Sequence, residues 1–269
     1  RFLSGVLYRT VHDFGSVSGG SLGATDIVTA LYFDQMQIDP ENFRMDGAGE
    51  DMFFLSNGHI SPMFYSILAH RGYFPVAELA TFRRLGTRLQ GHPTTAEGLP
   101  GVRVASGSLG QGLSVAVGVA QAKKLANDNH LVYVLMGDGE QEEGQIWEAA
   151  MYAPAKNVDN IVAIVDYNKK QIDGPTDDVL SLGDLRAKYE SFGWKVWECN
   201  GNDMQELVDT FNKIRENAHK GQSQILLAHT EMGMGVDFMM GTHKWHGVAP
   251  NDEQAANALS QLKETLGDY

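Results

Sequence analysis

Six short runs rich in apolar and β-branched residues are separated by stretches of helical periodicity, and this alternation constrains the fold more than any other feature of the chain. The runs cover residues 52–55, 102–105, 131–136, 161–165, 195–199 and 223–228. Several are apolar throughout rather than alternating, as parallel strands are when both faces are covered. Between them, residues 145–153 place Ile146, Ala149, Ala150 and Ala153 on one helical face, and residues 204–215 do the same with Leu207, Phe211 and Ile214. Further helices are expected over 6–14, 27–36 and 252–266. The pattern predicts an α/β fold: a doubly wound, mostly parallel sheet with helices on both faces.

The 269 residues are ample for a substantial core, and no repeat or linker divides them, so residues 1–269 are expected to form a single domain. With 21 Lys and Arg against 34 Asp and Glu, the net charge of −13 opposes binding to nucleic acid or an anionic membrane. The longest apolar runs, near six residues, are far short of the ~20 needed to span a bilayer. One cysteine, Cys199, allows neither an intrachain disulfide nor a Cys-cluster zinc site. With no signal-peptide pattern, a cytoplasmic protein is the expectation. The chain opens on Arg1 rather than Met, which leaves open whether residues precede it.

Glycine makes up 30 of the 269 residues, above the usual share of ~7 %. Many glycines follow the expected strands: Gly58, Gly107, Gly137 with Gly139, Gly201, and Gly233 with Gly235. Ligands of open α/β sheets bind outside the carboxyl ends of the strands, so these glycines point to a binding edge. The common nucleotide fingerprints fail. No Lys is followed by Ser or Thr, which excludes the P-loop, and Gly137-Asp138-Gly139 continues as Glu140-Gln141-Glu142 rather than as G-x-G-x-x-G. Gly19-Gly20-Ser21-Leu22-Gly23 matches G-x-S-x-G on paper, but a nucleophile elbow needs a preceding strand and 6–14 looks helical. This glycine cluster is read as a turn before the helix at 27–36. His243 and His246 are three residues apart but lack a third ligand at zinc-like spacing, so an active-site loop is the better reading.

The strongest constellation lies between 131 and 174. The strand at 131–136 ends in Gly137-Asp138-Gly139, a helix follows, and the next strand ends in Asp166-Tyr167-Asn168. Asp138 and Asn168 thus sit just past the carboxyl ends of successive strands, where they can face one crevice. A carboxylate and an amide oxygen are hard ligands suited to Mg²⁺ or Ca²⁺. Mg²⁺ fills its remaining positions with waters and ligand phosphates, so a diphosphate-bearing cofactor is implied, with backbone N–H groups of the flanking glycines in reach of it.

Gly137-Asp138-Gly139 through Asn168 resembles the thiamine diphosphate signature. The longer string of Gly137 to Gly144, Trp147-Glu148-Ala149-Ala150, Val165-Asp166-Tyr167-Asn168 and Gln171-Ile172-Asp173-Gly174 resembles transketolase, in detail the amino-terminal subunit of a split one. The likeness runs from about Gly19 to Pro250. It implies a thiamine diphosphate-binding fold, with Asp138, Asn168 and the backbone carbonyl of Lys170 as Mg²⁺ ligands (Ca²⁺ able to substitute) and Gly137 and Gly139 at the diphosphate. It implies that His59, in Ser56-Asn57-Gly58-His59, and His92, in Gly91-His92-Pro93, line the cofactor and substrate funnel. Gly107, Ser108 and Leu109 match the loop that contacts the cofactor, with Leu109 near the aminopyrimidine. His246, in Trp245-His246-Gly247, matches a histidine near diphosphate and substrate. His59, His92 and His246 are therefore the expected catalytic residues, and Glu143 and Glu148 match acidic residues at the family's subunit interface. His12, His70, His130, His219 and His229 have no motif support and are assigned structural or surface places.

Two departures matter. Where the family usually carries Ser-Gly-His-Pro before the glycine pair, this chain has Val17 in place of the histidine and Ser18 in place of Pro. Valine moves no proton, so that step falls elsewhere or serves a different substrate. The second departure is length. In the family a second α/β domain, bearing an activating glutamate, holds the aminopyrimidine; none fits here. The resemblance thus implies transfer of a two-carbon ketol unit between sugar phosphates of the pentose phosphate pathway, by a chain inactive alone. A carboxyl-terminal subunit would complete it, expectedly as a heterotetramer. Alternatives are another thiamine diphosphate enzyme component, of the 2-oxo-acid or deoxyxylulose-phosphate synthase type, and a non-catalytic cofactor-binding subunit.

Overall fold

A computed structural model of the chain describes residues 18–262. The helix expected at 6–14, His12, Val17 and the last residues of the helix expected at 252–266 lie outside them. Five parallel strands form one sheet: β1 (Met52–Leu55), β2 (Val132–Gly137), β3 (Ile161–Tyr167), β6 (Lys195–Asn200) and β7 (Gln224–His229), in spatial order β1-β2-β3-β7-β6. The expected strands at 131–136, 161–165, 195–199 and 223–228 are thus found within one or two residues at each end. Between β3 and β6 in the chain lies an unexpected two-residue hairpin, β4 (Lys170–Gln171) with β5 (Gly174–Pro175).

Successive residues of each strand enter different cores, which is why the strands read as continuously apolar. Phe53, Leu55, Tyr133, Leu135, Ile164 and Leu226 pack on one face with the helices Ser18–Ala30, Ser61–Arg71 and Met204–Asn217. Phe54, Val132, Val134, Val165 and Leu227 pack on the other with Gly112–Leu125 and Gly144–Ala155. Both faces are covered by helices, as the doubly wound pattern requires. The helix Met204–Asn217 illustrates the logic: Asp203 caps it by accepting from the amides of Gln205 and Glu206, and Leu207, Phe211 and Ile214 are fully buried. Each such side chain contributes roughly 2 kcal/mol by burial.

Two expectations are corrected. Residues 102–105 form no strand; Val102 donates back to Leu99 in a turn, and the Arg103 side chain is drawn into an ion pair with Glu50, so the segment runs as a loop beside the sheet. Gly19 to Gly23 do not form a turn but lie inside the helix Ser18–Ala30, which passes into a π-helical turn at Leu31–Gln35, where the helix expected at 27–36 ends. Closeness explains the glycines: a Cβ at Gly19 would stand 2.9 Å from the Trp245 carbonyl oxygen, and one at Gly23 3.1 Å from that of Glu231. Ser21 is fully buried inside this helix rather than exposed on a strand-to-helix turn, which is not the geometry of a hydrolase nucleophile.

Candidate active site

The site forms where the carboxyl ends of β1, β2 and β3 lie side by side. Leu55 pairs with Leu135 and Gly137 with Asp166, so the turns 56–59, 138–142 and 166–171 open toward one another. A cavity of about 180 Å³ lies between them. Its walls include His59, Leu109, Gly137, Asp138, Gly139, Asn168, Lys170 and His246, eight of the residues singled out from sequence. Gly107, Ser108 and His92 are not on this wall. Gly107 packs against the ring of His92, which is exposed and close enough to His59 to act on it electrostatically. Ser108 is exposed.

Asp138 is 2 % exposed, and its carboxylate accepts from the amides of Gly139, at 2.7 Å, and Lys169. Asp166, equally buried, accepts from the Thr230 hydroxyl and from the Asn168 side chain at 3.2 Å. Asn168 Oδ1 in turn accepts from the amide of Lys170 at 2.9 Å. Burial, then the neighbouring Asp166 charge, pushes the Asp138 carboxyl up to about 7; burial raises Asp166 to about 6. Two buried acids of like charge favour a cation between or beside them.

The rings of His59 and His246, both on the cavity wall, lie 5.5 Å apart. Burial, reinforced by His246 and His92, lowers His59 to about 4, and burial with His243 lowers His246. Both imidazoles are therefore neutral at pH 7, able to donate through one nitrogen and accept through the other. His246 is held by the 231–250 segment, where its amide donates to the His243 carbonyl and Trp245 Nε1 donates to the Phe238 carbonyl. Four further histidines serve local structure: His70 contacts the Ser66 carbonyl, His130 pairs with Asp128, His219 meets the Asn129 carbonyl and His229 pairs with Glu198.

Two buried polar atoms of residues lining the cavity, Asn57 Oδ1 and His246 Nδ1, have no hydrogen-bond partner among the described residues. Buried polar groups are normally satisfied, so they are free to meet a polar ligand. The hard oxygen set of the Asp138 carboxylate, the Asn168 amide and the Lys170 carbonyl also fits a divalent cation. No group of three or more His, Cys, Asp or Glu side chains is arranged around a metal among the described residues, so any cation would depend on amide, carbonyl and ligand oxygens. One expectation is narrowed: the Gly137 amide already donates to Glu140 at 3.1 Å and the Gly139 amide to Asp138, so neither is free as the structure stands.

Sequence reasoning passes over Glu140, Asn57 and Asp166. Each sits inside a quoted motif, yet only tertiary contact reveals what it touches. Glu143 and Glu148 are exposed, and Glu143 also borders the cavity. No helix among the described residues is long and apolar enough to cross a membrane.

The chain matches the family model described as "Transketolase, thiamine diphosphate binding domain" over residues 10–267. It is 40 % identical over 248 residues to one subunit of the apulose-4-phosphate transketolase of Phocaeicola vulgatus, covering 92 % of this chain and 86 % of that one. It is 38 % identical to a 6-deoxy-6-sulfo-D-fructose transketolase subunit of Clostridium sp., covering 91 % and 88 %. Among solved structures, transketolase from Leishmania mexicana superposes with a TM-score of 0.87 at 28 % identity, over 95 % of this chain. The present chain spans 39 % of that protein's length.

Proposed function

The chain belongs to the transketolase family through its thiamine diphosphate-binding domain, and from this premise we propose that it is the amino-terminal subunit of a two-chain transketolase. In this reading residues 1–269 form one diphosphate-binding domain, and a carboxyl-terminal subunit contributes the pyrimidine-binding domain with its activating glutamate. The pair would form a cytoplasmic heterotetramer. Two relatives of similar length are named as subunits of transketolases, which supports a divided enzyme.

The observation that carries the reading is the convergence of Asp138, Asn168, His59 and His246 on one cavity at the ends of three adjacent strands. Asp138, Asn168 and the Lys170 carbonyl would hold Mg²⁺, and the turn at Gly137 to Gly139 would face the diphosphate. Bound thiamine diphosphate would supply the nucleophilic carbon that a two-carbon ketol transfer requires. The chain's own part is to orient and to move protons. His59 and His246, neutral and side by side, would hold substrate hydroxyl and carbonyl oxygens and exchange protons with them, and the more exposed His92 would do so nearer the mouth. Leu109, on the cavity wall, would offer the cofactor an apolar surface.

The substrates in this reading are phosphorylated or similarly anionic sugars. The relatives' names point to apulose 4-phosphate and sulfofructose as donors to test beside xylulose 5-phosphate. Calorimetric titration of the two-chain mixture with thiamine diphosphate, with and without Mg²⁺, should give saturable binding only with the metal. Turnover with a ketose donor and ribose 5-phosphate should need both chains. Metal-independent binding, or ketol transfer by this chain alone, would overturn the assignment.

A further inference from the structure

We infer that Glu140 is a positioning residue: its buried carboxylate fixes the distance between the Asp138 turn and the Gly107 to Gly112 loop. The role rests on the cofactor reading for its purpose but not for its geometry. Glu140 is 2 % exposed and makes no ion pair among the described residues. Its carboxylate accepts instead from three donors on three different segments around the cavity. Oε1 accepts from the Ser56 hydroxyl, just past β1, and from the Gly110 amide at 2.8 Å; Oε2 accepts from the Gly137 amide, at the end of β2. Ser56 passes the connection on, because its hydroxyl oxygen accepts from the Gly112 amide at 3.0 Å. One carboxylate thus ties the loop that carries Leu109 to the strand ends carrying His59 and Asp138.

The loop packs closely against the strand ends. A Cβ at Gly112 would overlap the Ser56 side chain, and one at Gly58 would stand 2.7 Å from the Gly107 amide nitrogen. The amides of Gly110 and Gly112, which a glycine-rich loop suggests as ligand donors, are consumed by this network. The loop's contribution to the cavity is therefore the place it gives Leu109, and Glu140 sets that place. A carboxylate suits the task because both of its oxygens accept, whereas an amide side chain accepts at one end only and would turn its NH₂ toward a donor. Those donors are its hydrogen-bond partners among the described residues, so deleting one end loosens the whole strut.

The test uses Glu140→Ala, Glu140→Gln and Ser56→Ala in this chain, alone and mixed with its partner. In the chain alone, without cofactor, amide hydrogen exchange over residues 106–113 should accelerate at least ~10-fold in Glu140→Ala, while the strands stay protected. Glu140→Gln should fall between, since it keeps one acceptor oxygen and turns an N–H₂ toward a donor. Ser56→Ala should loosen Gly112 more than Gly137. In the two-chain enzyme, Glu140→Ala should weaken thiamine diphosphate binding at least ~10-fold and leave the KM for the sugar substrates within ~2-fold. Unchanged exchange at 106–113 in a folded Glu140→Ala chain overturns the inference, as does an equal rise in sugar KM. Failure of the wild-type pair to bind cofactor, with the exchange result intact, would refute the functional reading and spare the strut.

Discussion

The carboxylate of Asp138 accepts a hydrogen bond from the backbone amide of Lys169, 31 residues further along the chain. That bond joins the ends of β2 and β3 directly, and it holds Asp138 beside Asn168 before any cation is added. The two residues proposed to hold the metal would therefore be preorganised by the backbone rather than gathered by the ion.

Removal of the Asp138 carboxylate should separate binding from folding. Asp138→Ala is expected to reduce Mg²⁺-dependent thiamine diphosphate affinity on the order of 100-fold or more, because half of the side-chain ligand set is lost. The melting temperature without cofactor should move by less than ~5 °C, since relief of repulsion from Asp166 offsets the lost amide bonds. Calorimetry and a thermal melt on one sample decide it. A variant that binds cofactor normally refutes the metal assignment.

The neutral His59 makes a pH prediction with a definite sign. Its folded value of about 4 lies below the 6.5 of an unfolded histidine, so the unfolded chain binds the extra proton between those values. Stability from this group is complete above pH 6.5 and is lost as pH falls toward 4. Asp138 and Asp166, raised by burial, contribute stability at low pH that is lost as pH rises, so the whole-chain profile mixes both signs. Comparison of wild type with His59→Gln isolates the histidine. Between pH 7.5 and pH 5 their difference in urea stability should shift by roughly 1–2 kcal/mol against wild type. A constant difference would mean that His59 is not held neutral.

Far from the cavity, Asp51 is fully buried and accepts from the amides of Gln37 and Leu131 and from Arg215 at 2.9 Å. Asp51→Ala strands two amides and a guanidinium that also bonds Tyr133. A loss of about 3–4 kcal/mol by chemical denaturation is expected. Cofactor affinity of the surviving folded fraction should be unchanged, in contrast to Asp138→Ala.

At Gly19 the expected effect runs through a neighbour. An alanine methyl there would meet the Met232 side chain and the Trp245 carbonyl at 2.9 Å, pushing away the segment that holds His246. Gly19→Ala should cost about 1–3 kcal/mol. It should also slow turnover of the two-chain enzyme more than it weakens cofactor binding. If turnover and affinity both stay at wild-type values, the notch does not position His246.

The parts of this molecule legible in the sequence share one property: their signal is local. Continuous apolar runs mark β2 and β3 because both faces are buried, and Asp138 and Asn168 are legible because each lies two or three residues past such a run. The run at 102–105 misleads for the same reason. Val102 and Val104 look like a strand, but β1 pairs with β2 and not with this segment, whose Arg103 is held by Glu50. The glycines at 19–23 read as a turn because glycine is unfavourable in helices, until the close passage of residues 231–245 shows why side chains are excluded. Glu140 is the least legible. Among Glu140, Glu142 and Glu143, only tertiary contact distinguishes the one that faces inward.

The placement of β7 between β3 and β6 has a consequence for the chain as it is made. Residues 195–200 leave the ribosome before 224–229, yet their hydrogen-bonding partner in the sheet is the later segment. Until β7 is made, β6 lacks the one strand it pairs with among the described residues. Lys195, Glu198 and Asn200 in this six-residue strand supply charge and polarity that discourage pairing with another nascent chain during the wait.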